Sequence, residues 1–170
     1  MIKQLLLLGV LMNGKMHGYR LNEYVKHAMS FYTDLKKSTA YYILDQLEKD
    51  GYVSYKLERE GKRPERRIYE ITEQGKDYFL ELLRDCLGSY TPTSFGDDIG
   101  AAFIDRLSPE EASDLLTIKR QKIEDQLVKY KGIENHGGSL QYVISHNIAH
   151  LESDLAWLGS VLKELDTTKA

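Results

Sequence analysis

The chain has 170 residues, which is enough for one large domain or two small ones, and its 42% hydrophobic and 29% charged content is typical of a globular protein. No apolar run approaches the ~20 residues that a membrane-spanning helix requires, and the N-terminus lacks a secretory signal pattern, so a cytoplasmic protein is expected. A single cysteine, Cys86, excludes an internal disulfide and agrees with a reducing compartment.

The net charge of −3 is unevenly distributed along the chain. Residues 1–85 contain fifteen Lys and Arg against thirteen Asp and Glu, whereas residues 86–170 contain eight against thirteen. The basic excess is concentrated between Lys56 and Arg67. This split is expected of a chain that binds a polyanion with its first half and has a different task in its second half.

Three short helices are predicted in the first 51 residues. Residues 2–11 are almost entirely apolar and predict a buried helix, which ends at Asn13 and Gly14. A second helix is predicted from Met16 to about Met29, and a third lies within residues 36–51, with Lys36 and Lys37 just before its start. Three helices in succession, the third with a polar outer face, are typical of a helix-turn-helix domain that binds DNA.

The third predicted helix separates apolar from polar side chains. Its apolar residues recur at helical spacing and share one face; they are Ala40, Ile43, Leu44 and Leu47. Ser38 or Thr39 is expected to cap its start, and Gly51 follows its end as a left-handed residue. The remaining faces carry hydroxyls, an amide and positive charge, which suit a helix in the major groove of DNA. The DNA-contacting residues expected here are Tyr19, Lys36, Lys37, Ser38, Thr39, Tyr41, Tyr42 and Gln46. The alternative is an ordinary amphipathic surface helix.

A β-hairpin is predicted next. Residues 52–57 and 67–71 are rich in β-branched and aromatic residues and partly alternate, and the segment between them contains turn residues and basic side chains. In a winged-helix domain such a hairpin is the wing, whose basic side chains reach phosphates or the minor groove. The expected contacts are Lys62, Arg63 and Arg66. A merely solvated loop is the alternative.

A fourth helix and a domain boundary follow the hairpin. Thr72 is the expected N-cap of this helix, and its apolar side is expected to consist of Leu80, Leu83 and Leu87. Pro92 and Gly96 lie among small polar residues, which marks a boundary between domains. The expected domains are therefore residues 1–88, which bind DNA, and residues 95–166, which are all-helical. The predicted fold is mostly α, with an N-terminal winged helix-turn-helix.

The second half shows only helical patterns. A short helix is predicted over residues 97–106, and a longer one begins at Ser108 with a capping box completed by Glu111 and ends near Tyr130. The last helix, residues 140–165, carries apolar residues every three or four positions. A stripe this wide predicts packing against a second subunit, and packing within the chain is the alternative. The expected dimerisation residues are Ile144, Ile148, Leu151, Leu155, Leu158 and Leu162.

Several of these motifs occur together, in a fixed order. The matching residues are Gly14, His17, Gly18, Tyr19, Leu21, Thr39, Tyr41, Leu44, Gly61, Pro64, Arg66, Arg67, Tyr69, Thr72 and Gly75. In this arrangement residues 1–85 resemble the PadR family of bacterial transcriptional regulators. Ser38 and Tyr42 replace the glycine and proline usual in that family, so the operator sequence is not carried over. The second half resembles the helical dimerisation domain of longer members, best at residues 150–158.

The resemblance implies a homodimeric winged-helix protein that binds double-stranded DNA at a pseudo-palindromic operator. It implies a repressor or, less often, an activator, which releases DNA when an aromatic small molecule binds near the dimer interface. Candidates for an aromatic pocket are Trp157, Tyr142, Tyr90 and Phe95, and core packing is the alternative explanation of these residues. No cofactor is expected.

Metal-binding and catalytic motifs are not expected. His146 and His150 lie one helical turn apart, but a metal site needs a third ligand at a suitable position. The sequence has no phosphate-binding glycine loop, no paired cysteines and no serine elbow, so an enzyme is not expected. The competing function is a winged-helix module for protein–protein contact without DNA binding, and ligand sequestration is a third alternative.

Overall fold

A computed structural model of the chain contains two compact units, Met1–Pro92 and Thr93–Ala170. The structure describes residues 1–28, 35–59, 65–93, 95–96, 98–134 and 137–168. The hairpin tip at residues 60–64 falls outside the described residues, and so do the expected contacts of Lys62 and Arg63.

The first unit combines four helices with a small antiparallel sheet. The helices are α1 (Ile2–Leu11), α2 (Gly18–Ala28), α3 (Lys37–Lys49) and α4 (Glu73–Gly88), and the strands are β1 (Met16–His17), β2 (Val53–Glu58) and β3 (Arg66–Ile71). β3 lies in the middle of the sheet, paired with β1 on one side and β2 on the other. This arrangement is a winged helix, in which β2 and β3 form the wing.

α1 lies at the centre of the first unit because nearly all of its side chains are apolar. It packs against α3, α4 and β3, and Leu7, Leu8 and Leu11 are at most 1% exposed. α3 contributes its predicted apolar face, from which Ala40 and Leu44 are also buried. Burial of each leucine side chain contributes about 2 kcal/mol, so α1 fixes the rotation of α3 about its own axis.

The second helix starts later than predicted. α2 begins at Gly18 rather than Met16, because Met16–His17 form a short strand opposite Tyr69 and Ile68 of β3. A hairpin alone would leave one edge of β3 without backbone hydrogen-bond partners, and this strand occupies that edge. The pairing joins residues some fifty positions apart, so the local pattern around Met16 gives no sign of it.

The third helix starts earlier than predicted. Its N-cap is Lys36, which is extended, and neither Ser38 nor Thr39 caps it through a side-chain hydrogen bond. Both hydroxyls therefore lie within the first turn, where Ser38 is exposed to solvent. The predicted left-handed residue after the helix is confirmed, since Gly51 has a φ of 80°.

Thr72 caps α4 as predicted and also joins it to the end of α3. Its hydroxyl oxygen accepts a hydrogen bond from the backbone N–H of Gly75 at 2.9 Å, and the hydroxyl donates to the carbonyl oxygen of Gly51 at 2.7 Å. A single side chain thus satisfies a free donor of α4 and a free acceptor that follows α3.

The buried side of α4 differs from the prediction. Leu82 is buried, whereas Leu80 is 39% and Leu87 78% exposed. The side of α4 that packs against the core of the first unit contains Gly75, Phe79 and Leu82. The predicted face is therefore wrong at Leu80 and Leu87.

The second unit is entirely helical in its described residues. It contains α5 (Asp98–Ala101), a 3₁₀ turn (Ile104–Arg106), α6 (Pro109–Lys131) and α7 (Leu140–Thr168). The short helix predicted over residues 97–106 is divided into two turns, in a stretch that contains the poor helix former Gly100. The N-cap of α6 is confirmed, since Ser108 Oγ accepts a hydrogen bond from the N–H of Glu111 at 3.2 Å.

α6 and α7 pack along each other, which changes the interpretation of the apolar stripe on α7. Ile144 is 4% and Leu158 0% exposed, so the chain itself already buries two of the six expected dimerisation residues. The other four, Ile148, Leu151, Leu155 and Leu162, are partly exposed. Intrachain packing accounts for Ile144 and Leu158 because α6 presents an apolar side of its own.

Within the described residues, no helix combines the length and the apolar character needed to cross a bilayer.

Gly75→Ala is expected to destabilise the first unit. A Cβ at this position would overlap the carbonyl oxygen of Tyr52 and lie 2.9 Å from a side-chain carbon of Ile71, so α4 would have to shift. We expect the free energy of unfolding to fall by about 2 kcal/mol or more. Gly88→Ala is the matched control, since a Cβ there meets nothing within 4 Å. Urea unfolding measures both variants, and equal stability would contradict the close approach.

Candidate nucleic-acid interface

α3 presents a continuous polar surface because its opposite side is held in the core. Lys36, Lys37 and Ser38 are exposed around its first turn, and Tyr42 is 64% exposed one turn further on. Gln46 follows on the same side and is partly exposed. Hydroxyl and amide groups can donate to and accept from base edges, and lysines neutralise phosphates, so this surface has the chemistry of a DNA-reading helix.

Tyr41 differs from its neighbours on α3 because it packs against the core of the first unit. A Cβ at Gly18 would lie 2.9 Å from a ring carbon of Tyr41, so the glycine lets this ring approach the start of α2. Lys37 Nζ lies 5.9 Å from the centre of the same ring. Tyr41 therefore packs between α3 and the start of α2, and its expected DNA contact stays a prediction.

A cleft of about 470 Å³ lies between the start of α2 and strand β3. Its lining residues are His17, Gly18, Tyr19, Tyr41, Glu65, Arg66 and Arg67. Tyr19, an expected DNA contact, is 61% exposed at this cleft. The first backbone N–H groups of α2 carry the positive end of the helix dipole, so Tyr19 and Arg66 lie where an anionic oxygen is favoured.

Arg66 is the one expected wing contact that lies in the described residues. It is exposed, lies opposite Glu58 in the sheet, and makes no ion pair with any residue that the structure describes. Its guanidinium is therefore available for a phosphate. The DNA contacts expected of Lys62 and Arg63 stay predictions, because both residues lie in the hairpin tip, outside the described residues.

Arg67, the next residue, forms an ion pair with another side chain of the protein. Its Nη1 donates to Oδ1 of Asp45 on α3 at 2.7 Å, and its guanidinium carbon lies 4.5 Å from the centre of the Tyr55 ring. The hydroxyl oxygen of Tyr69 and, less strongly, the carboxylate of Asp45 raise the pKa of Arg67 above its ordinary value. The Arg67 guanidinium therefore stays protonated. The sequence analysis missed this contact because it joins residues 22 positions apart.

Tyr69 lies beneath Arg67 and is fully buried. Its hydroxyl has no hydrogen-bond partner of good geometry among the described residues, so Arg67 acts on it through charge rather than through a well-formed hydrogen bond. Burial raises the pKa of the Tyr69 hydroxyl, and the nearby Arg67 opposes this rise. The Tyr69 hydroxyl is therefore uncharged, and its ring is buried at the base of the wing.

The N-terminus of α1 lies beside the exposed side of α3, which the sequence analysis did not predict. Residues 1–4 and the α3 residues Tyr42, Ile43 and Gln46 line a shallow cleft of about 360 Å³. Lys3 thus brings a positive charge close to two expected DNA contacts. The packing of α1 on α3 creates this neighbourhood, and no local sequence pattern reports it.

Trp157 lines two clefts among the described residues of the second unit. One, of about 590 Å³, is lined by Phe95 and Trp157 together with two lysines, Lys119 and Lys122, and two aspartates, Asp98 and Asp154. Lys119 Nζ lies 5.6 Å from the centre of the Trp157 ring. The other cleft, of about 820 Å³, is lined mainly by apolar side chains of α5, the 3₁₀ turn and α6.

The four candidates for an aromatic pocket do not all come together. Phe95 and Trp157 line the same cleft, whereas Tyr142 is 77% and Tyr90 87% exposed. His150, which was considered as a metal ligand, instead lies 3.4 Å from Asp154 Oδ2 through its Nδ1, with its ring packed near Phe95. Among the described residues, no cluster of three potential metal ligands is present.

Comparison with known sequences identifies relatives of this chain. The family model described as the transcriptional regulator PadR-like family matches residues 7–81. The negative transcriptional regulator PadR of Bacillus subtilis (strain 168) is 30% identical over 130 residues, which cover 74% of this chain and 69% of that protein.

Solved structures share the fold over nearly the whole chain. Bacillus subtilis PadR in complex with operator DNA matches with a TM-score of 0.80 and 23% identity, covering 97% of this chain and 99% of that one. The same protein in complex with p-coumaric acid matches at 0.77 and 23%, covering 98% and 99%. The Vibrio cholerae virulence activator AphA matches at 0.71 and 17%, covering 98% and 99%. The predicted fold, a winged helix followed by an all-helical part, is confirmed.

Tyr41→Ala and Tyr42→Ala are expected to differ sharply in stability although the residues are adjacent. Loss of the half-buried Tyr41 ring removes packing between α2 and α3 and should cost about 2–3 kcal/mol. Loss of the exposed Tyr42 ring should change the free energy of unfolding by less than about 0.5 kcal/mol. Denaturant unfolding of both variants measures this difference, and a larger loss for Tyr42→Ala would contradict the assignment.

Proposed function

Because the chain belongs to the PadR-like family of transcriptional regulators, we propose that it is a cytoplasmic repressor that binds operator DNA as a homodimer. One arrangement supports this function above all. The polar side of α3 is exposed, and so is Arg66 of the wing, which makes no ion pair with a described residue; this is the layout a duplex requires of a winged helix.

We assign the roles in DNA binding by chemistry. Base edges are read from α3, and phosphates are bound by positive charges at its start, by the wing and by the start of α2. The base-reading residues are Ser38, Thr39, Tyr42 and Gln46. The phosphate-binding residues are Lys36, Lys37, Tyr19 and Arg66, joined by Lys62 and Arg63 on the strength of the sequence. Residues 1–88 form the DNA-binding domain in this proposal.

The second unit, residues 95–166 in this proposal, joins two copies of the chain. Its surface carries large apolar side chains that are between 51% and 69% exposed, namely Ile99, Phe103, Leu115 and Ile118. Such a surface is unusual on a monomer and is typical of an interface. It lies on α5, α6 and the segment between them, so the interface is broader than the α7 stripe that contains Ile144 and Leu158. A twofold dimer reads two half-sites ~34–36 Å apart.

An aromatic acid is the proposed effector. The cleft of Phe95 and Trp157 offers ring faces for stacking, and Lys122 at the same cleft, whose lining also includes Asp98 and Asp154, would pair with a carboxylate. A structural relative has been crystallised with p-coumaric acid, which has both an aromatic ring and a carboxylate. Binding of such a molecule beside the α6 and α7 contact would change the shape of the dimer and release the operator.

Arg66→Ala is expected to weaken DNA binding and to reduce its salt dependence. Loss of one phosphate contact should make the slope of the logarithm of the binding constant against the logarithm of the salt concentration less steep by about 0.9. Arg84→Ala is the matched control, since this exposed arginine lies on α4, outside the candidate interface. Anisotropy titrations at several salt concentrations would use a duplex that the protein has enriched from a random-sequence pool, with two protomers bound per duplex at saturation.

The competing function, a protein-interaction module, predicts that the wild-type chain binds no duplex in a salt-dependent way. That result would overturn the proposed function. An identical salt dependence for Arg66→Ala and the wild type would overturn the assignment of Arg66 alone.

p-Coumaric acid is expected to quench the fluorescence of Trp157, the single tryptophan of the chain. Lys122→Gln should weaken this binding about tenfold, because a charge-assisted contact to the carboxylate is lost. Lys129→Gln, which removes an exposed lysine from the same helix away from the cleft, is the control. Free N-acetyltryptophanamide corrects for absorption by the ligand. Equal affinity of both variants would exclude this cleft as the carboxylate site.

A further inference from the structure

We propose that Arg67 is a positioning residue that holds the wing against α3 through Asp45, and that it does not bind DNA itself. The inference rests on the proposed DNA-binding function. It separates Arg67 from Arg66, although the sequence places both in one run of basic residues.

Three contacts hold the Arg67 side chain in place. Its Nη1 donates to Asp45 Oδ1 at 2.7 Å, its guanidinium carbon lies 4.5 Å from the centre of the Tyr55 ring, and its charge acts on the buried Tyr69 below it. Tyr55 belongs to β2, Tyr69 to β3 and Asp45 to α3. One guanidinium therefore bridges both strands of the wing and the DNA-reading helix.

The pleat of β3 explains why two adjacent arginines have different tasks. Successive side chains of a strand point to opposite faces, so Arg67 shares a face with Tyr69 and, across the sheet, with Tyr55. That face packs towards α3. Arg66 lies on the other face, opposite Glu58, where it makes no ion pair with a described residue.

A second ion pair holds β3 from its other face. Lys15 Nζ lies 2.9 Å from Oε2 of Glu70, which alternates with Arg67 and Tyr69 along the strand. β3 is thus fixed on both faces at the base of the wing. The Arg67 contact is the one that reaches α3, so it sets the angle between the wing and the helix that reads the bases.

The charge of Asp45 gives Arg67 a second task. The Asp45 side chain is 49% exposed on the helix that the proposal lays in the major groove. An unpaired carboxylate there would repel DNA phosphates. Arg67 neutralises this carboxylate, so loss of Arg67 both frees the wing and leaves a negative charge close to the duplex.

The test compares Arg67→Gln with Arg59→Gln on the same enriched duplex, in anisotropy titrations over a series of salt concentrations. Arg59 follows β2, is exposed and makes no ion pair with any described residue, so its loss removes the same charge from the same hairpin. Arg67→Gln should weaken binding about threefold to tenfold more than Arg59→Gln. In the Asp45→Asn background, where no carboxylate is uncovered, Arg67→Gln should leave the salt dependence unchanged, at a temperature where circular dichroism shows a folded protein.

A double-mutant cycle isolates the link to α3. In the Asp45→Asn background the partner is already lost, so Arg67→Gln should have little further effect on affinity. Arg67→Lys should fail to restore wild-type affinity, because an ammonium cannot both stack on Tyr55 and present a planar fork to Asp45.

A salt dependence that is less steep by about 0.9 when Arg67→Gln is added to Asp45→Asn would overturn the inference, because Arg67 would then contact a phosphate. A lowered melting temperature with unchanged affinity would also overturn it, because the contact would then serve stability alone. Failure of the wild-type chain to bind the duplex overturns the proposed function and the inference with it, whereas the first two results overturn the inference alone.

Discussion

The burial of one side of α3 against α1 is the constraint on which the rest of the first unit depends. Ala40, Leu44 and Leu47 are at most 2% exposed, so α3 cannot rotate about its axis without exposing apolar surface. Ser38, Tyr42 and the other exposed side chains of α3 take their direction from this packing. The direction of the side chains proposed to read DNA is in this way set by buried residues on the opposite side of the helix.

β3 transmits the same constraint to the wing. The strand pairs with β1 and β2, and its Tyr69 enters the core, so its position is fixed before the hairpin extends towards solvent. Gly18 permits this arrangement, since a Cβ there would lie 2.9 Å from Tyr41 and 3.1 Å from Tyr69. A glycine that sequence comparison identifies only as a motif residue thus has a steric explanation.

Sequence patterns predicted the features that depend on neighbours in the chain. The α1 bounds, the caps at Thr72 and Ser108 and the exposed Ser38, Tyr42 and Arg66 all follow from local rules. Local patterns do not predict features that depend on residues distant in the sequence. Examples are the strand Met16–His17 and the ion pair of Arg67 with Asp45, which form because β3 lies beside α2 and α3. The face of α4 and the covered Ile144 and Leu158 were missed for the same reason, since packing partners decide them.

Basic residues near a DNA-binding surface differ in what they can contribute. An exposed guanidinium that exchanges water and counterions for a phosphate adds affinity for any sequence, and this is the role proposed for Arg66. A guanidinium already paired, such as that of Arg67, has little charge left to offer, and its value lies in the geometry that it fixes. The chain carries a net charge of −3, so it cannot rely on overall attraction to DNA. In the proposed function, affinity would come from a few charges held in position, and the ion pair at the base of the wing is the contact proposed to hold them.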